Sequence, residues 1–449
     1  DDGGKPQQKK KPLPCAEKLH FGGHVSGKSS RHLRSWGALE QGSIHVAPPS
    51  RKIMAEVLLS IKEVEVRRGM GIVLSEYDLE VYEGDILVIT GENGSGKSTV
   101  IETAARLLPL EKGHVSHHGQ LTHHADGRRL DPVKPFGLTL QSNGVIGSET
   151  VVNHLQTVAM LSGVQLDHDA LLESYNLDHR KADVIGHLSG GQARKVAVLT
   201  GLIPAMVSES PTLVLLDEPG AGLDDSAIDS LIDQITSLAA AGHGFLIASH
   251  NPKIQSIATK LHDLSTTVQG ARNEAKPWTS RGTKVEPRNT LFRTGHRYAS
   301  STHSGLARNG IVSIMVLGCV LALGDPANLP DGLWTTGAIL APAFASGLVG
   351  DPTTYLLREN RAADWWRAQA QRTPAATGLG LIVGTTVTVA ASYVMLGLVD
   401  LNLVLIGALM CEFAMKGVSF LNASTQRLSR PNAVFIRLLL PAFILPWAL

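Results

Sequence analysis

The stretch GENGSGKST, Gly91–Thr99, decides the reading of this chain. Its glycines let backbone N–H groups close on phosphate oxygens, Lys97 reaches the β- and γ-phosphates, and the Ser98 hydroxyl suits Mg²⁺. The apolar run Ile86–Thr90 before it reads as a buried strand. Thr99–Leu107 after it reads as a helix whose N-terminus faces the anion. Alone, such a loop fits any protein that handles nucleoside triphosphates. Further pieces follow in a fixed order: Gln141; LSGGQ at Leu188–Gln192; TLVLLDEP at Thr212–Pro219 with Asp224 beyond it; and His250.

LSGGQ discriminates between the candidates. With it the set, across roughly Met54–Leu264, resembles the nucleotide-binding domain of ABC ATPases. The resemblance implies an α/β P-loop ABC ATPase domain with a RecA-like core, an antiparallel β subdomain and a helical subdomain. It implies ATP and Mg²⁺ as cofactors. Gly91, Asn93, Gly94, Gly96, Lys97, Ser98 and Thr99 then surround the phosphates, and Ser98, Gln141 and Asp217 lie on the Mg²⁺ side. Glu218 is the general base, and Gln141 and His250 complete the hydrolytic set. Ser189, Gly190, Gly191 and Gln192 reach ATP held by a second copy, and Asp224 works across the same dimer. The residue types suit these roles. Ser-Gly-Gly at a helix start lets an anion approach without obstruction. Two abutting carboxylates after the buried strand Leu213–Leu216 are costly without a cation. The bland readings set against them are a plain helix cap at Ser189, a surface Gln at 141 and an ordinary loop His at 250. Where the family carries an adenine-stacking aromatic, this chain has VRRGMG, Val66–Gly71, so Arg67, Arg68 or Met70 is expected over the purine.

The chain has 449 residues, room for two or three domains, and 41 basic against 40 acidic side chains. So balanced a charge gives no global field for nucleic acid, and no nucleic-acid partner is expected. Cys15, Cys319 and Cys411 are odd in number and far apart, which supports neither a disulfide framework nor a metal site. Residues 1–53 are basic, Pro/Gly/Ser-rich and without an apolar run, so they read as a disordered leader before Met54; an organelle transit sequence is the alternative. Five histidines (114, 117, 118, 123 and 124) invite a metal reading, but a solvated hairpin is favoured.

Beyond Leu264 comes a basic linker to residue 309, in which Lys276, Arg281, Lys284, Arg288, Arg293, Arg297 and Arg308 face only Glu286 from Lys276 onward. Then the chain turns apolar, and residues 310–449 read as an all-α transmembrane domain of about five helices. The spans are Gly310–Gly324, Leu333–Gly350, Leu379–Val399, Leu401–Leu421 and Val434–Leu449. Basic loops alternate with non-basic ones, which puts the ATPase on the cytoplasmic side of the cell membrane. Exporter permease units of this family usually have six spans, so a span lost by truncation is the favoured reading, with a mis-split span or a real five-span unit as the alternatives. The loop Asp351–Gln371, with Trp365 and Trp366 among charges, reads as an amphipathic helix; it either docks on the ATPase near Gln141 or forms an interfacial belt. Glu412 and Lys416, one turn apart inside the fourth span, are either a self-neutralised pair or part of a substrate path.

Together these features resemble an ABC half-transporter, most like the cytochrome c-maturation haem exporters in its ATPase half. The resemblance implies a dimer with a second copy or a homologous ABC subunit, contact with membrane lipid, an additional permease subunit in some arrangements, and an unidentified cargo. A non-transport ABC ATPase with a membrane anchor, regulatory or of ribosome or repair type, is the alternative.

Overall fold

Four consecutive apolar residues, Ile-Leu-Val-Ile, form strand β3 (Ile86–Ile89), and all four are buried. Such a run, with no polar alternation, belongs to a strand covered on both faces. The computed structural model describes residues 55–271, 274–286, 293–294, 303–323, 333–349, 357, 359–370, 379–396 and 401–424. The leader and the fifth expected span lie outside them. Met54–Leu449 cluster as one unit.

Two sheets build the first part. β1 (Val57–Arg68) and β2 (Gly71–Tyr82) are antiparallel, and with β4 (Lys112–His117) and β5 (Gln120–His124) they make a four-stranded sheet in the order β2-β1-β4-β5. The second sheet also takes in β6 (Gly137–Thr139), β8 (Leu213–Asp217), β9 (Gly244–Ala248), β10 (Lys260–Asp263) and β11 (Thr266–Gln269). Its order is β11-β10-β3-β9-β8-β6, parallel except for the β10–β11 pair. The expected RecA-like core and antiparallel β subdomain are therefore both present.

Helix α1 (Lys97–Ala104) leaves the phosphate loop, and α2 (Val151–Leu161) and α3 (Asp169–Glu173) form the helical subdomain beside β7 (Val164–Gln165). Helix α4 (Gly190–Val207) lies against β6. Gly137 and Gly201 permit the approach, since a Cβ on Gly137 would press into the Gly201 carbonyl. Helix α5 (Asp225–Ala240) links β8 to β9, and α6 (Pro252–Ser256) follows β9. The linker is stitched down over its described part: β12 (Thr283–Lys284) pairs with β7, and the Trp278 indole donates to Met206 O at 3.1 Å.

The histidine hairpin departs from the solvated reading. His117 and His123 are 1% exposed. His117 Nε2 meets Ala104 O at 2.9 Å, and its ring stands edge-on to Phe136. Burial pushes His117 down to about 3 and His123 down to about 4, so both are neutral imidazoles packed as core. Among the described residues no group of three or more His, Cys, Asp or Glu is placed to hold a metal ion.

Four of the expected apolar segments form helices: α7 (His303–Leu323), α8 (Leu333–Val349), α10 (Leu379–Leu396) and α11 (Leu401–Ser424). They pack on one another, with α8 touching the other three. Among the described residues no helix is long and apolar enough to cross a membrane. The short helix α9 (Ala362–Ala370) lies between α8 and α10 in sequence and packs on the ATPase core instead.

Candidate functional site

The phosphate loop runs from the C-terminal end of β3 into α1, whose cap residue Gly96 has φ +111°. A side chain there would be strained, and its Cβ would sit 3.0 Å from Val73. Lys97 is held inside the loop, its ammonium donating to Gly91 O at 2.9 Å and Glu92 O at 2.8 Å. Over the loop opens a cleft of about 700 Å³, lined by Arg68, Asn93, Gly94, Gly96, Lys97, Ser98, Thr99, Glu102, Gln141, Glu218, His250 and Arg361. Of the residues expected around the phosphates, all but Gly91 line this cleft, together with Gln141, Glu218 and His250. Of the residues expected over the purine, Arg68 lines the cleft, whereas Met70 is 98% exposed.

β8 carries Asp217 to the loop. The Ser98 hydroxyl donates to Asp217 Oδ1 at 3.0 Å. Burial pushes Asp217 up to about 6; Glu102 and Glu218 add to the rise, while the Ser98 bond and Arg194 oppose it. A buried carboxylate that resists carrying its charge alone, beside a hydroxyl oxygen, fits a hard divalent cation. Glu218 follows with φ +48°, a left-handed conformation that turns its side chain toward His250. Its Oε1 lies 3.5 Å from His250 Nε2, and the His250 backbone N–H donates to Oε2 at 3.4 Å. Gln141 is exposed at the cleft's edge.

Ser189 caps α4. Its hydroxyl accepts from Gln192 N at 3.3 Å, and Gln192 Oε1 accepts from Ser189 N at 3.1 Å, a reciprocal capping box. The bland cap reading is therefore realised, and it leaves Ser189 and Gly190 exposed. Gly191 lies against the loop before α5, where a Cβ would come within 2.8 Å of Gly222 O. Asp224 caps α5 through Ala227 N at 2.8 Å and accepts from Lys195 Nζ at 2.7 Å, which holds its carboxyl below the usual range.

Two residues escape motif reading. Arg194 is buried, and its guanidinium donates to Leu140 O (2.7 Å), Asn143 Oδ1 (2.9 Å), Asp217 O (2.6 Å) and Glu218 O (2.7 Å). It ties the loop after β6, the end of β8 and the start of α4 into one unit. Its signal was a cation three and four residues before the buried Ala197 and Val198 of the same helix. Lys195 is the second, joining α4 to α5 through Asp224.

Residues 74–221 match the family model described as ABC transporter. A lipoprotein-releasing system ATP-binding protein LolD of Shewanella oneidensis is 30% identical over 213 residues, covering 45% of this chain and 90% of the relative. A cytochrome c biogenesis ATP-binding export protein CcmA 2 of Cupriavidus metallidurans is 30% identical over 201 residues, covering 44% and 91%. A solved ATP-binding subunit of an ABC transporter aligns at 22% identity over 47% of this chain and 90% of its own, with a TM-score of 0.38. With a relative at this identity matched over nearly its whole length, the chain belongs to the ABC transporter ATP-binding family, hydrolysing ATP with Mg²⁺.

Proposed function

We propose that this chain is an ATP-driven ABC half-transporter of the export type, working as a head-to-tail dimer with a second copy or a homologous ABC subunit. Asp217, Ser98 and Gln141 hold Mg²⁺, which supplies charge neutralisation at the β- and γ-phosphates. Glu218 takes the proton of the attacking water, and His250 orients that carboxylate and the γ-phosphate. Lys97 and the loop amides bind the phosphates, and Ser189, Gly190 and Gly191 of the partner close over them, with Gln192 fixing that cap and Asp224 its neighbour.

The observation that carries the transport reading is the docking of α9 on the ATPase core. Trp365 and Trp366 are each 1% exposed, and the Trp365 indole donates to Leu138 O at 3.1 Å on the edge strand β6. Gly144 N donates to Asn360 O at 2.8 Å, in the loop that follows Gln141. A segment flanked by apolar helices thus grips the loop that senses nucleotide, and docking is favoured over the interfacial belt.

The bundle is inside out for a protein dissolved in water. Leu403 is 70% and Phe413 63% exposed, while Ser313, Ser346, Thr388, Ser392 and Glu412 are fully buried. Lipid is the solvent that suits such a surface, which supports a multi-pass membrane domain with the ATPase cytoplasmic. The domain limits are placed at 54–264 for the ATPase, 265–309 for the linker and 310–449 for the membrane part. The relatives are named for lipoprotein release and for export in cytochrome c biogenesis, so the cargo is put as haem or another small hydrophobic molecule.

The full chain is expected to stay with membranes at high salt, to leave them only in detergent, and to show haem-stimulated ATPase activity in proteoliposomes. Release as a soluble protein at high salt would sink the transport reading.

A further inference from the structure

One wall of the nucleotide cleft is supplied by the C-terminal segment. Glu102 lies on α1 one turn beyond Ser98, its side chain 4% exposed, and two arginines pair with it: Arg68 from the end of β1, and Arg361 from 259 residues away in sequence. The arginines stay open to the cleft, with side chains 43% and 30% exposed. Arg361 also bonds Asp364 Oδ2 at 2.8 Å, and Arg367 lies 3.7 Å from that same carboxylate. Among the residues that line the cleft, Arg68, Lys97 and Arg361 stand against Glu102 and Glu218, so it carries excess positive charge.

The backbone aims Arg361 there. Asn360 and Arg361 are successive non-glycine residues in the left-handed region, with φ +47° and +61°. Strain of this kind persists only where surrounding contacts impose it. Here they are the Gly144 N–H on Asn360 O and the Asn360 side-chain amide donating to Val145 O at 3.3 Å. The junction is clamped to the loop after Gln141, and Arg361 lines the same cleft as Lys97, Ser98 and Thr99.

We propose that Arg361 is a nucleotide contact, which exchanges Glu102 for the anionic oxygens of the ATP polyphosphate when the cleft fills. A guanidinium has five donors and binds phosphate in forked geometry, so a polyphosphate of higher charge displaces one carboxylate. Because Arg361 opens α9, filling the cleft alters the hold on the segment that joins the C-terminal helices to the ATPase. The contact rests on ATP entering this cleft, and Lys97→Ala tests that separately.

Affinity for ATP and ADP is measured on the purified full chain in detergent without Mg²⁺, alongside thermal melting of the free protein. Arg361→Ala is expected to weaken ATP binding about tenfold, the size of a charge-assisted hydrogen bond, and Arg361→Lys to recover part of it. Glu102→Gln removes the competing carboxylate, so ATP binding tightens even as the free protein melts lower. A merely structural tie gives the opposite pattern: Arg361→Ala and Glu102→Gln both lower the melting temperature, and neither changes ATP affinity beyond about twofold, which overturns the proposal. Arg361 is partly exposed, so its variants carry the test even if Glu102→Gln fails to fold. ATP binding that survives Lys97→Ala would overturn the cleft assignment itself, and the contact with it.

Discussion

Asp217 and Glu218 are adjacent carboxylates in opposite surroundings, and the contrast divides their work. Asp217 is 1% exposed and bonded to Ser98; Glu218 has a side chain 21% exposed and faces His250. Burial lifts Asp217 to about 6, above its value in an unfolded chain. A carboxyl raised on folding stabilises the free protein while protonated, fully so below the unfolded range, and that stability is lost as pH rises through about 6. Without Mg–ATP the melting temperature should therefore fall as pH rises from about 4 to about 6 and level off above that. Asp217→Asn should flatten that part of the profile, and a slope unchanged in the variant would show that another group carries it. Mg²⁺ must compete with the same proton, so Mg–ATP affinity should weaken below about pH 6. Glu218→Gln should keep ATP binding while turnover drops by roughly 10²–10⁴, the range for a lost general base; near-normal turnover would remove the assignment.

Helix α9 shows what an element of nine residues can carry. Its Trp365 indole and the Gln369 amide donate to Leu138 O and Phe136 O, which cover the outer edge of β6, the last strand of the sheet. Gly144 receives the Trp365 ring with φ +75°, and a Cβ there would meet Trp365 Cβ at 3.2 Å. Gly144→Ala should thus cost about 1–2 kcal/mol from backbone strain and lift α9. Tryptophan emission would shift to the red, and transport would uncouple from hydrolysis. An unshifted emission maximum would mean that Trp365 is not seated there. Trp365→Ala should cost about 3–5 kcal/mol, as buried aromatic truncations do. The amphipathic character of α9 was legible from Trp365 and Trp366 among charges, but its choice between lipid and protein was not, since either solvent accepts an indole. Buried strands such as Leu213–Asp217 announced themselves because parallel strands covered on both faces are apolar throughout. Arg194, His117 and His123 did not, because a polar side chain buried inside the core has the same one-letter signature as a solvated one. The Glu102–Arg361 pair spans 259 residues, and no local pattern reports such a contact.

At the scale of the assembly, the proposed dimer decides how each nucleotide site is completed. Lys97, proposed to bind phosphate, and Gln141, Glu218 and His250, proposed for hydrolysis, share one cleft, whereas Ser189 and Gly190 stand exposed at the capped start of α4. A helix N-terminus with free amides and no bulky side chain favours an anion, and head-to-tail pairing would set it over the phosphates of the other copy. Each ATP then takes its loop from one chain and its signature from the other. Lys97→Ala alone should abolish ATP occlusion, and so should Ser189→Arg, which fills the α4 N-terminus with a long cation while sparing the helix interior. Mixed at equal amounts and allowed to exchange, half the dimers are hybrids, and each hybrid has one intact site, built from the loop of the Ser189→Arg chain and the signature of the Lys97→Ala chain. Occlusion should return to about a quarter of the wild-type level. If every site were built within one chain, neither variant could supply what the other lacks, and occlusion would stay at zero with hybrids confirmed by differently sized tags.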